Sequence, residues 1–212
     1  VRFKVWRSNV VRFIFVAILF IYPLSALGVT TWRFWTLRTD RSAEYLARDI
    51  LSSVPEGAIL LMQRDTPLFV AQYARYVLGV RPDTKLIHTS RLPSSDYPGV
   101  VSTVFPELSI PGVRGEMFVT EFLKENSEKF AIASITRLPA PQGWLWVPHG
   151  LVFLLTQERD LPSARELVMT NDDLWAQFHD PGSGLLSRYS HLMLADIRDV
   201  YATGRIELGK TL

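Results

Sequence analysis

Between Phe13 and Trp32 the chain carries twenty consecutive residues without a charge, FIFVAILFIYPLSALGVTTW. A helix rises about 1.5 Å per residue, so this run is long enough to cross a hydrocarbon core of about 30 Å. A bilayer admits an α-helix here, because every backbone polar group must be satisfied within the segment. Pro23 is tolerated in such a helix, and Trp32 and Trp35 stand where an interfacial aromatic belt is expected. Arg2, Lys4, Arg7 and Arg12 precede the run while Arg33, Arg38 and Arg41 follow it, so the positive-inside preference for a cytoplasmic N-terminus is modest. The competing reading is a cleaved signal peptide, with Ala26-Leu27-Gly28 as its small-residue site. The apolar run continues past that site, which favours an anchor. Both readings put the remainder outside the cytoplasm. The expectation is a single-pass protein of the cell inner membrane, with the lipid bilayer as its first partner.

Composition removes several function classes. Net charge is +2, from 23 basic and 21 acidic residues, and the basic excess sits at the N-terminus. It reads as a topology signal and not as a nucleic-acid footprint, so no nucleic-acid partner is expected. There is no cysteine, hence no disulfide, thiolate metal site or cysteine nucleophile. Neither GxGxxG nor GxxxxGK[ST] occurs, which argues against dinucleotide and P-loop sites. His88, His149, His179 and His191 have no metal-ligand spacing, and Ser90, Ser94 and Ser95 have no GxSxG elbow. No cofactor, no metal and no catalytic constellation are expected.

The organisation reads as a membrane anchor over residues 1–37, an α/β domain over 38–160 and a helical extension over 161–212. Ser42 is a candidate N-cap, and Ala43, Leu46, Ala47, Ile50, Leu51 and Val54 form one apolar helix face up to Pro55-Glu56-Gly57. Ala58–Met62 suits a strand buried on both faces. Asp65 or Thr66 is placed to cap the next helix, with Pro67 in its first turn and Gly79 at its end. Lys85–Thr89 reads as a second strand, which completes a βαβ unit and implies a small parallel sheet. Residues 90–113, rich in Pro, Ser and Gly, read as an irregular segment with one short helix, of a length that often serves binding. A helix over Arg114–Asn126, a strand at Phe130–Ile135 and extended chain at Trp144–Pro148 and Leu151–Thr156 follow. Past Pro162 the pattern is helical, broken at Pro181-Gly182-Ser183-Gly184, with a last helix from about Leu186. Val1 at the start reads either as an alternative start codon or as part of something longer, and the missing stop signal at Leu212 reads as a chain that continues.

Three stretches, ARDILSSVPEGAILL, RDTPLFVAQYARYVLGVRPDTKLIH and WVPHGLVFLL, together carry a resemblance. Over roughly residues 20–156 the chain resembles a bacterial family of polytopic membrane proteins related to GT-C-type protein O-mannosyltransferases. In that family a last membrane helix leads into an extracytoplasmic domain. The matching positions here are Ala47-Arg48-Asp49, Pro55-Glu56-Gly57, Asp65 and Arg81-Pro82-Asp83. The family's other membrane helices and its acidic luminal loop have no counterpart in these residues, and the strand ends Gln63-Arg64-Asp65 in place of a glycine-containing turn. The last residues, VYATGRIELGKTL, are faintly similar to the first helix of a tetratricopeptide repeat.

The candidate ligand-binding residues are Asp65, Thr66, Arg81, Asp83, His88 and His149. Asp65 and His88 end strands of the βαβ unit, where ligands bind in open α/β sheets. Each has a plainer reading: helix capping for Asp65 and Thr66, a turn with a local ion pair for Arg81 and Asp83, a packed or surface histidine for His88 and His149. Trp144 and Trp146 read equally well as a sugar-stacking surface, as cover for a sheet edge or as aromatics facing the membrane. The resemblance implies an extracytoplasmic accessory domain of a glycosyltransferase-like membrane protein. It would bind or position an acceptor, with a polytopic glycosyltransferase or that acceptor as partner. The alternatives are an independent membrane-anchored α/β enzyme and a periplasmic scaffold leading into helical repeats.

Overall fold

The computed structural model describes residues 2–181 and 192–212. It divides into two compact units, Val1–Asp40 and Arg41–Leu212. The first unit is helix α1 (Arg2–Arg38), with Pro23 inside it. Its stretch Val10–Trp32, 23 residues of mean hydropathy 2.3 with none of it buried, is long and apolar enough to cross a membrane.

The second unit is mixed α/β. In chain order it runs α2 (Ser42–Ser52), β1 (Ile59–Met62), α3 (Asp65–Tyr76), β2 (Lys85–His88), a 3-10 turn at Thr89–Arg91, α4 (Tyr97–Val104) and α5 (Met117–Asn126). Then come β3 (Ile132–Ser134), β4 (Trp144–His149), β5 (Val152–Gln157), a 3-10 turn at Glu158–Asp160, α6 (Ala164–Trp175) and α7 (Leu192–Thr211). The strands form one sheet in the order β2-β1-β3-β5-β4. β1 pairs in parallel with β2 and β3, as the βαβ reading expects. β5 runs antiparallel to both β3 and β4, so a hairpin closes the other side of the sheet. Pro148 is accommodated because β4 is an edge strand.

β1 explains the layering. All four of its residues are buried, and they alternate between two cores. Leu60 and Met62 pack with α2, α3 and α7 residues such as Leu46, Ala71 and Val200. Ile59 and Leu61 pack with α4 and α5 residues such as Val101, Phe118 and Phe122. Helices therefore cover both faces of the sheet. Residues 161–212 join this unit: Ile197, Val200 and Tyr201 of α7 are buried in the first core, and Trp175 and Phe178 pack against it.

Several local expectations are corrected. Ser42 is the first helical residue of α2, Arg41 takes the N-cap position, and the Arg41 side chain makes no capping hydrogen bond. α5 begins at Met117 because Gly115, at φ +77°, holds the chain out of the helix. The segment 90–113 is pinned down: Leu92, Val101, Phe105 and Leu108 enter the second core, and buried Asn126 bonds both the N–H and the carbonyl of Ser109. Trp146 is buried and donates from Nε1 to Leu138 O at 2.7 Å, so it offers no face for sugar stacking. The break at residues 182–184, the start of the last helix near Leu186 and His191 lie outside the described residues.

Candidate functional site

The strand order reverses beside β1, since the connection from β1 leads to β2 on one side and the chain returns to β3 on the other. In open α/β sheets the crevice beyond the carboxyl ends at such a point is where ligands bind. Here that crevice is largely filled. Gln63 after β1 accepts from the Thr136 hydroxyl after β3 at 3.2 Å. Helix α7 lies across it, with Arg64 ion-paired to both Asp196 and Asp199. Thr66 donates to Asp196 Oδ2 at 2.8 Å, and Arg137 pairs with Glu207 at 3.3 Å. The Thr66 hydroxyl and the Arg64 guanidinium hold the Asp196 carboxyl below its ordinary range. A cavity of about 170 Å³ remains beneath α7, lined by Arg64, Thr136, Val152, Asp199 and Gly204 among others.

The capping expectation for Asp65 and Thr66 does not hold. α3 starts at Asp65 itself, Arg64 takes the N-cap position, and no side chain accepts from the first-turn N–H groups. The two side chains are used in different directions: Thr66 toward α7, Asp65 toward β2. Asp65 Oδ1 lies 3.4 Å from His88 Nε2, with the carboxylate 73% exposed and the imidazole 16% exposed. The His88 backbone N–H donates to the Tyr97 hydroxyl at 2.9 Å, which fixes the strand end. His88 Nδ1 is buried and has no hydrogen-bond partner. An exposed carboxylate beside the Nε2 edge of an imidazole can accept and donate hydrogen bonds at the carboxyl end of two parallel strands.

The structure separates the other candidates from this pair. His88 pairs with Met62 at one side of the sheet and His149 with Val152 at the other, with β3 between β1 and β5. His149 is thus four strands from His88, about 19 Å away. Its Nδ1 is 2.8 Å from Ser53 O, and burial lowers its pKa below the usual imidazole value. Beside it, the Gly150 N–H donates to Asn171 and the Leu151 N–H to the Ser53 hydroxyl, so His149 belongs to the anchorage of the β4–β5 turn. Arg81 and Asp83 precede β2, at the other end of that strand from His88. They form the expected ion pair at 2.8 Å, but Arg81 also donates to Leu51 O, Val54 O and Pro55 O, and Asp83 accepts from Gly57 N. Hydrogen bonding to Arg81 drives the Asp83 carboxyl far below the ordinary carboxylate range. This is a clasp on the end of α2 with no donor left over for a ligand.

Sequence reasoning missed one cluster. Asp49 of α2 is buried and accepts from Tyr201 Oη at 2.6 Å, His179 N at 2.8 Å and His179 Nδ1 at 2.9 Å. The available signal was an aspartate on an apolar helix face between Leu46 and Ile50, which demands partners when buried. Burial and the adjacent Asp49 raise the Tyr201 phenol above its ordinary value, so it stays a donor. Among the described residues no group of three or more acidic or histidine side chains is placed to hold a metal ion.

No protein-family profile matches the chain, and no solved structure matches it. Over 77 residues it is 31% identical to Protein O-mannosyl-transferase TMEM260 of Mus musculus. That stretch is 36% of this chain and 11% of the mouse protein. The chain is therefore related, through a part of its length, to a glycosyltransferase-like membrane protein, of which it spans about a ninth.

Proposed function

We propose that the chain carries an extracytoplasmic accessory domain of a glycosyltransferase-like membrane protein, which binds or positions the acceptor and does not itself catalyse transfer. The observation that carries this reading is the 77-residue likeness to a protein O-mannosyl-transferase. An apolar helix of membrane-spanning length precedes the α/β unit, in keeping with a domain held at a bilayer. Asp65 and His88, at the open end of β1 and β2, are the residues assigned to the acceptor. The partners are the bilayer and a polytopic glycosyltransferase or its acceptor, at a bacterial inner membrane.

Two measurements test this. A reporter fused after Leu212 should behave as extracytoplasmic while the protein stays in membranes after carbonate washing; a cytoplasmic reporter would end the topological half of the proposal. The purified chain should not transfer mannose from a lipid-linked donor. Transfer by the chain alone would favour the second reading, an independent membrane-anchored enzyme. The observation favouring that alternative is the exposed Asp65–His88 pair itself.

A further inference from the structure

A separate pocket of about 580 Å³ opens between the chain just past α6 and one face of α7. Its size is that of a small-molecule site. From α7 it is lined by Arg198, Tyr201, Ala202 and Arg205, and from the other side by Trp175 and His179 among others. The α7 residues stand at i, i+3, i+4 and i+7, so the two arginines share one helix face about 10.5 Å apart along the axis. Flexible stems can bring both guanidinium groups onto one ligand over that span.

The two arginine charges in this pocket are unspent. Arg198 is exposed and makes no hydrogen bond, ion pair or ring contact with any described residue. Arg205 lies 4.0 Å over the Trp175 ring, which occupies the face of its guanidinium and leaves the N–H edge free. His179 is held from behind: Nδ1 bonds to Asp49 and the ring stacks on Tyr45 at 4.0 Å, leaving Nε2 as its remaining polar atom. Asp180 also lines the pocket, but it is engaged in an interaction of its own. The free donors are therefore two forked cations, while His179, whose Nδ1–H is given to Asp49, presents Nε2 as an acceptor.

We propose that this pocket binds a phosphoryl group, gripped by Arg198 and Arg205 with His179 as the third contact. A carboxylate has only acceptor oxygens, whereas a monoprotonated phosphoryl group accepts from both guanidinium forks and donates its P–O–H to the acceptor Nε2 of His179. The phosphoryl group comes either from a soluble phosphoester or from a phospholipid headgroup. The inference does not depend on the reading of the Asp65–His88 pair.

The test uses the full chain in phosphatidylcholine nanodiscs, titrated with inorganic phosphate by calorimetry. Saturable binding is expected, and Arg198→Glu should weaken it about tenfold or more. Because Arg198 is exposed and makes no polar or ring contact with a described residue, thermal unfolding of Arg198→Glu should match the parent. Arg205→Gln should weaken binding as well, with a small fall in Tm from the lost stacking on Trp175. Discs doped with phosphatidic acid then separate the sources. Competition in the parent but not in Arg198→Glu identifies the headgroup, and no competition identifies a soluble phosphoester. Absence of saturable binding up to about 50 mM phosphate, or equal binding by parent and both variants, would overturn the proposal.

Discussion

Two acid–base pairs stand at opposite ends of β2, and they are used in opposite ways. Before the strand, Arg81 and Asp83 meet through two contacts of 3.0 and 2.8 Å, and every remaining donor of the arginine's terminal nitrogens reaches a carbonyl at the end of α2. After the strand, Asp65 and His88 meet at 3.4 Å, the carboxylate is open to water and His88 Nδ1 has no partner. Buried polar groups are ordinarily satisfied, so the first pair is the rule and the second the exception. A saturated pair holds architecture. One whose carboxylate stands open to water at a strand's carboxyl end leaves an acceptor that a ligand can reach.

The largest expected effect breaks the saturated pair. Arg81→Ala should destabilise the α/β unit by about 3 kcal/mol, since it removes several charge-assisted hydrogen bonds and strands the Asp83 carboxylate. Arg81 also sits at φ 49°, which any residue with a side chain finds strained. Arg81→Gly relieves that strain, so its loss should be smaller than alanine's by about 1 kcal/mol yet still substantial. Urea unfolding of the two variants decides the matter: a glycine variant as stable as the parent would mean that the clasp contributes no more than the relieved strain, about 1 kcal/mol.

Next in size is the acid dependence of the same clasp. The Asp83 carboxyl titrates below its unfolded value because Arg81 and the Gly57 N–H stabilise the charged form. Its contribution is therefore complete above the unfolded pKa, near 4, and is lost as pH falls through the folded value. Asp83→Asn should cost about 2 kcal/mol at neutral pH, and the gap between variant and parent should close as the pH drops below about 4. A gap that stays constant across that window would show that Asp83 acts through shape and not charge.

His149 provides a milder contrast with His88. Burial keeps it neutral, so below about pH 6.5 the unfolded chain takes up a proton that the native one refuses. Stability should then fall as pH drops from 6.5 toward the folded value, and His149→Asn should flatten that slope. Unfolding midpoints from pH 7 to pH 5 measure it. An unchanged slope in the variant would assign the acid sensitivity elsewhere.

What the sequence disclosed follows from how local each signal is. α2, β1, α3 and β2 were legible because Pro55-Glu56-Gly57 and Gly79 bound them and their apolar residues follow one period each. The extended chain at Trp144–Pro148 was legible too, but its antiparallel pairing depends on the turn at Gly150, at φ +62°, and on contact with β3 across intervening chain. Asp65 and Thr66 illustrate the limit. An N-cap preference is a local rule, and the partner that takes the Thr66 hydroxyl is Asp196, 130 residues away. The Asp49–His179–Tyr201 cluster is long-range in the same sense. α7 is recognisable as a helix, while its place across the crevice is set by Arg64, whose role no periodicity records.

The smallest effect on stability is expected where the effect on function should be greatest. Asp65 does not cap α3; it lies in the first turn, where a negative charge gains only about 0.3–1 kcal/mol from the helix dipole. Its contact with His88 is long and open to water, so screening leaves it little further worth. Asp65→Asn should thus shift unfolding by about 0.5 kcal/mol or less. If the carboxylate completes His88 for an acceptor, the same variant should fold normally and fail to support function in cells, and His88→Gln should reproduce the failure. Thermal unfolding of the full chain, paired with complementation, separates the outcomes. Full complementation by a normally folded Asp65→Asn would place Asp65 with Arg81 and Asp83, as a residue of the scaffold.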